Sequence, residues 1–257
     1  MKEFLGFGGY QRPAEGYFSW QHLTFVTALM IVMVTLAVVL GRRDRAGNEK
    51  QKNRTLLASA ILINALELFK IVIFCMRAGS AWDWIYNLPL FLCSIQLITI
   101  PLAALSRGRL KQASLDFIFL FGLLGAVLGT YFAGNNYSVY PVMSLDNVVS
   151  GLTHSISGFV ALYIPISGLV SMKKRDIPIT FGILLGFCAA AYVANLFVDC
   201  NYMFLSRGDG TPYDIVYNLV GGHAVLYPAI VVVMFLVYIA LFYQIYYLVT
   251  RRKCERQ

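Results

Sequence analysis

Charge is scarce in this sequence. Only 13% of its 257 residues are Asp, Glu, Lys or Arg, about half the roughly 25% of an ordinary soluble domain. Hydrophobic residues make up 58%, which excludes a typical water-soluble globule and indicates a bilayer protein. Acid is scarcer than base, 13 residues against 21, for a net charge of +8. The Lys and Arg sit in short blocks between apolar runs rather than along one face, so no nucleic-acid partner is expected. The five cysteines (Cys75, Cys93, Cys188, Cys200, Cys254) form neither a CxxC pair nor a disulfide framework. No two of the three histidines stand in HxxxH spacing. There is no low-complexity tract, no internal repeat and no separate soluble domain.

What is present is a series of long apolar runs. A helix needs about 20 residues to cross a hydrocarbon core, and seven stretches qualify: 20–41, 54–76, 86–105, 114–134, 148–171, 178–200 and 223–249. The expected fold is all-α: a polytopic membrane protein with a seven-helix domain over 20–249. Residues 1–19 lack the basic start and compact apolar region of a signal peptide and read as a short external or interfacial arm. Residues 250–257 form a basic tail.

Alternate loops carry the basic residues. Arg42, Arg43, Arg45, Lys50, Lys52 and Arg54 fill the first, Arg107, Arg109 and Lys111 the third, and Lys173, Lys174 and Arg175 the fifth. By the positive-inside rule this predicts a cell-membrane protein with its N-terminus outside and its C-terminus cytoplasmic. Trp82, Trp84, Tyr86, Tyr137 and Tyr140 then fall on the outer side as an aromatic belt. Gly125 and Gly129 make a small-xxx-small pair in the fourth run, the spacing that lets a neighbour approach closely.

Polar side chains inside a membrane span are costly and face the bundle interior. Asn64, Glu67 and Lys70 form an i, i+3, i+6 stripe in the second run. The third run, Asn87 to Pro101, carries Cys93 and Gln96 on one face. Cys93 lies seven residues past Tyr86, roughly 10 Å along a helix at ~1.5 Å per residue. His154 lies at similar depth in the fifth run, Asn195 and Asp199 end the sixth, and His22 and His223 open the first and seventh. The topology therefore predicts one polar cavity near the outer side, with an apolar inner half.

Each piece also has a plainer account. A lone cysteine in a membrane helix is usually a small hydrophobe, and Glu67 and Lys70 at i, i+3 neutralise each other. His22 suits an interfacial position, His223 a helix start, and Asn195 with Asp199 helix-packing hydrogen bonds. Three chemistries fit the set. A thiol activated by an imidazole attacks an ester, with Cys93 and His154 in those roles. Histidines with Asp199 suit zinc in type but lack local ligand spacing. Glu67, Lys70 and Asp199 suit a proton or ion path, which the apolar inner half interrupts.

Three segments carry a family likeness: LPLFLC around Cys93, SGLTHSISGF around His154, and NLFVDCNYMFL closing the sixth run. Together they resemble the YwaF-like bacterial integral membrane proteins, which are related to the eukaryotic transmembrane protein 164 family. The likeness spans most of the chain. The family pattern reads LPLHLC with an acidic residue soon after; here Phe91 stands at the His position and Ser94 follows Cys93. Asp199 and Cys200 stand where Gly-Thr usually precedes NYMFL.

The resemblance implies a lipid acyltransferase or acyl hydrolase with phospholipid-type substrates, Cys93 as acyl-accepting nucleophile and His154 as its base. A more distant group, the androgen-induced-type hydrolases, uses Thr and His on fatty-acid esters. Gln96 or Asn195 are candidate oxyanion donors, with Glu67, Lys70, Asn64, Asp199, His22 and His223 around the cavity. No cofactor or metal is expected, and membrane lipids are the expected solvent and substrate. The alternative is a non-enzymatic small-molecule or ion transporter, or a ligand-binding membrane protein, using the same cavity.

Overall fold

The computed structural model describes residues 1–169 and 172–254, with side chains as far as Thr250; residues 255–257 of the expected basic tail lie outside that set. The described secondary structure is helical. In chain order the helices are α1 (Trp20–Arg45), α2 (Glu49–Ala78), α3 (Gln96–Leu105), α4 (Gly108–Tyr131), α5 (Gly134–Val139), α6 (Leu145–Ser167), α7 (Ile177–Phe197), α8 (Tyr213–Leu219) and α9 (Leu226–Cys254), with short 3₁₀ turns between some of them. Six helical segments among the described residues are long and apolar enough to cross a membrane. Large apolar side chains such as Ile31, Leu36, Ile61 and Leu62 are exposed on their flanks, as lipid-facing residues are. This is a multi-pass membrane protein. The chain divides into two compact units, Met1–Val170 and Ser171–Gln257.

The expected third span, 86–105, is not one helix. A 3₁₀ turn covers Ala81–Asn87, and Leu88 is extended (ψ 145°), as the residue before Pro89 prefers. Phe91 N–H donates to Ser94 Oγ at 3.0 Å, and Ser94 Oγ donates back to the Phe91 carbonyl at 3.1 Å. Only then does α3 run, for 10 residues, about half the length a hydrocarbon core requires. Pro101 sits inside it and lacks the N–H that would reach the carbonyl of Leu97. Asn64 Nδ2 on α2 donates to that carbonyl at 3.0 Å. Asn64, expected near the cavity as a polar wall, is thus occupied in repairing a proline break.

In the first unit α6 packs mainly against α4 and α1. Glycines set the closeness. A Cβ on Gly122 would stand 2.8 Å from the Ser157 carbonyl, and one on Gly158 would meet Ala126 at 2.6 Å. The buried core between α2, α3, α4 and α6 includes Leu56, Ile63, Ile100, Ile118, Val160 and Tyr163. Where α1 and α6 end, Asp44 is fully buried. It accepts from Arg43 at 2.7 Å, Gln51 at 2.8 Å, and Thr55 and Tyr163 at 2.9 Å.

At the other end the arm, residues 1–19, packs onto α2 and α6. Leu145 N–H donates to the Phe4 carbonyl at 2.9 Å, and Leu5 and Phe7 cover Ile73 and Val149. Gly6, at φ +70°, leaves room for the Arg77 guanidinium where a Cβ would sit. Arg77 donates to the Leu5 carbonyl at 2.5 Å and to Asp146 at 2.9 Å. Tyr10 donates its hydroxyl hydrogen to the same carboxylate.

Candidate functional site

A cavity of about 300 Å³ lies within the first unit, and Glu67, Lys70, Cys93 and His154 all line it. Each wall is positioned by a local rule. On α2, Ile63, Glu67 and Lys70 face it at i, i+4, i+7. On α6, Ser150, Thr153, His154 and Ser157 face it at i, i+3, i+4, i+7, one helical stripe. The broken segment before α3 contributes Leu88, Phe91, Cys93 and Ser94, and α5 contributes Asn136. The α6 serines and threonine are absent from the sequence-derived candidates, although their spacing beside His154 carries the signal.

The break before α3 is what presents the thiol. With residues 88–95 out of helix, Cys93 stands in the first turn leading into α3. The backbone amides of Cys93 and Ser94 interact with its sulfur.

Cys93 and His154 meet the same face of α4. A Cβ built on Gly125 would lie 3.5 Å from Cys93 Cβ, and one on Gly129 would fall on the ring of His154. The Gly125 carbonyl interacts with that ring. Gly125 and Gly129 are one turn apart, about 6 Å along the axis, so thiol and imidazole occupy adjoining levels of one groove. The small-xxx-small pair of α4 therefore makes room for two chemically active side chains, besides the helix contact that its spacing predicts.

Glu67 and Lys70 form an ion pair of 2.6 Å with side chains only 13% and 15% exposed. Lys70 also lies 5.8 Å from the Phe74 ring centroid, within cation–π range. The charge of Lys70 is felt at both Cys93 and His154.

The remaining sequence-derived residues have other surroundings. Gln96 is 1% exposed and accepts from Thr99 at 2.8 Å. It is not among the cavity-lining residues. His22 is fully buried, stacks on Tyr137 at 3.9 Å and bonds the Thr130 carbonyl through Nε2 at 3.1 Å, pinning the start of α1 to α4.

Asn195, Asp199 and His223 belong to the second unit. Asn195 donates to the Tyr202 carbonyl at 3.1 Å and accepts from its N–H at 2.8 Å. That clasp holds a tight turn in which Met203 and Phe204 have positive φ. Asp199 is exposed and paired loosely with Arg207 at 3.5 Å. His223 Nδ1 accepts the amides of Val225 and Leu226, both at 3.3 Å, at the start of α9. No group of three or more His, Cys, Asp or Glu among the described residues is placed to hold a metal ion.

An all-helical multi-pass membrane protein with a thiol, an imidazole and one buried ion pair around a small cavity is the class defined by fold and site. The family model of the TMEM164 family matches residues 17–252, nearly the whole chain, and the protein belongs to that family. None of the curated proteins matches it, and none of the solved structures does.

Proposed function

We propose that this chain is an integral membrane lipid acyltransferase or acyl hydrolase that carries the acyl group as a thioester on Cys93. One observation supports it above the others: Cys93 and His154, on different elements, line the same 300 Å³ cavity against one face of α4.

In the proposed cycle His154 takes the thiol proton, and the Cys93 sulfur attacks the ester carbonyl of a phospholipid-type substrate. The S–C bond forms and the carbonyl electrons move onto oxygen. Amides at the start of α3, beside Cys93, are the proposed donors to that oxyanion. As the intermediate collapses the C–O bond breaks, and the His154 imidazolium protonates the departing lipid alcohol. In the second half His154 deprotonates an incoming alcohol, which takes the acyl group, or a water, which releases a fatty acid; the C–S bond breaks, and the His154 imidazolium returns the proton to the Cys93 thiolate. Glu67 and Lys70 shape the polar wall.

The seven-crossing topology in the cell membrane, N-terminus outside, belongs to the same proposal. The alternating basic loops support it, and the short α3 then crosses together with the irregular segment before it. Non-helical backbone at membrane depth is tolerated where it lines a cavity.

The test is to supply phospholipid with an isotope-labelled acyl chain and search for the acyl adduct on Cys93 by mass spectrometry. Wild type is expected to carry the adduct and Cys93→Ser to lose both adduct and turnover. Full lipid turnover in Cys93→Ser ends the thioester mechanism. Ligand binding or transport that survives Cys93→Ser but not Glu67→Gln favours the non-enzymatic alternative.

A further inference from the structure

We infer that Gly129 is a positioning residue: its missing side chain forms the socket in α4 that holds the His154 imidazole in the groove one turn from Cys93. Gly129 has this role only if Cys93 and His154 act as proposed above.

A Cβ on Gly129 would overlap Cε1, Nε2 and Nδ1 of His154 together, so the ring fills the space that any other residue would occupy. The overlap involves the ring itself, which cannot bend away as the end of a lysine can; the χ angles must change. His154 is fixed on α6, and α6 cannot retreat from α4 without breaking the Gly122 and Gly158 contacts on the same interface. Added volume at 129 must therefore swing the imidazole out of the groove. One turn away, Gly125 stands in ordinary van der Waals contact with Cys93, so alanine there is tolerated. The socket is specific to the imidazole.

Gly122 supplies the control. A Cβ there meets the Ser157 carbonyl at 2.8 Å and Ala161 Cβ at 2.9 Å, so Gly122→Ala strains the α4–α6 contact without its Cβ touching His154. The measurement is the rate of Cys93 alkylation by iodoacetamide in the full-length protein, with Cys75, Cys188, Cys200 and Cys254 replaced. In that reaction the thiolate displaces iodide to give a thioether, and no lipid turnover is needed.

His154→Ala is expected to slow alkylation at neutral pH by about a hundredfold, the low side of a general base's usual effect. Gly129→Ala should slow it by the same factor, and the double variant no further. Gly122→Ala should stay within about twofold while melting at a lower temperature than wild type. If Gly129→Ala is too unstable to assay, Gly129→Ala/His154→Ala decides. Removing the ring vacates the socket, so the double variant should melt above Gly129→Ala.

Alkylation that stays fast and His154-dependent in Gly129→Ala overturns the socket and leaves the Cys–His mechanism standing. So does a double variant as unstable as the single one. Alkylation unaffected by His154→Ala removes the Cys–His mechanism and the socket with it.

Discussion

Two polar clusters share the helices α2 and α6, and they are built in opposite ways. Arg77 and Asp146 stand near the ends of those helices; Lys70 and His154 stand about two turns further in on each. At the ends every group is matched. Arg77 donates to the Leu5 carbonyl, to both oxygens of Asp146 and to the Tyr10 hydroxyl, which itself donates to Asp146. Further in, the ion pair of Glu67 and Lys70 borders the cavity together with a thiol and an imidazole. A polar network that satisfies itself has no capacity left for a ligand and serves to hold the fold. Polar groups that border a cavity have capacity to spare for a ligand. Chemistry is expected at the second cluster and rigidity at the first.

The largest stability effect expected from this contrast is at Asp146. Asp146→Ala strands the Arg77 guanidinium, 18% exposed in its side chain, and breaking such a pair costs about 3–5 kcal/mol. The thermal midpoint in detergent or nanodiscs should fall accordingly. Acyl turnover per folded molecule should stay near wild type. If turnover collapses while the protein is still folded, the division between a holding cluster and a working cluster is wrong.

Lys70→Met makes the same cut in the other cluster with a smaller structural cost. Its pair is also buried, 13% and 15% exposed, but borders a cavity where water can reach the Glu67 carboxylate left behind, so the loss should fall short of the about 3–5 kcal/mol of a sealed pair. Turnover is expected to fall roughly tenfold or more, because a charge beside the reacting groups is removed. Comparing midpoint and turnover across the two variants sharpens the contrast: Asp146→Ala should move the first and Lys70→Met the second.

The sequence carried much of the membrane architecture. Six of the seven apolar runs became membrane-length helices, because an apolar run of some 20 residues has few alternatives in a bilayer. The third run, 86–105, is only partly helical, because hydrophobicity measures residence in lipid and not regularity. Leu88-Pro89 and the Ser94 turn break the run just where Cys93 is. The grouping of Glu67, Lys70, Cys93 and His154, which line one cavity, was legible, although the ~1.5 Å per residue used to place Cys93 does not hold in its non-helical segment. Depth alone does not say what a side chain faces. Asn64 went to a carbonyl freed by Pro101, His22 to Tyr137, Gln96 to Thr99 and Asn195 to a loop backbone. The Arg77–Asp146–Tyr10 clamp joins residues 67 to 136 positions apart, a separation no local pattern reports. The α4 glycine pair was visible as spacing, but its occupants were not.

The smallest expected effect is at Tyr10, and it asks which part of the clamp holds the arm. Tyr10→Phe removes one donor from Asp146 and leaves the Arg77 bonds in place, so it should cost only about 1 kcal/mol. Its pH dependence is the more telling readout. Burial first, and donation to the Asp146 carboxylate second, push the Tyr10 phenol up to about 12 from an ordinary value near 10. The neutral phenol is thus favoured in the folded protein. Its contribution is complete below about pH 10 and drains away as pH rises through about 12. Wild-type melting temperature should therefore decline more steeply than that of Tyr10→Phe across that window, and the two curves should converge at its alkaline end. A Tyr10→Phe variant as unstable as Asp146→Ala would assign the holding role to the hydroxyl. Curves that stay parallel from pH 9 to 12 would mean that the phenol contributes bulk against Arg77 and Tyr140, 5.4 and 5.8 Å away by ring centroid, and not a hydrogen bond.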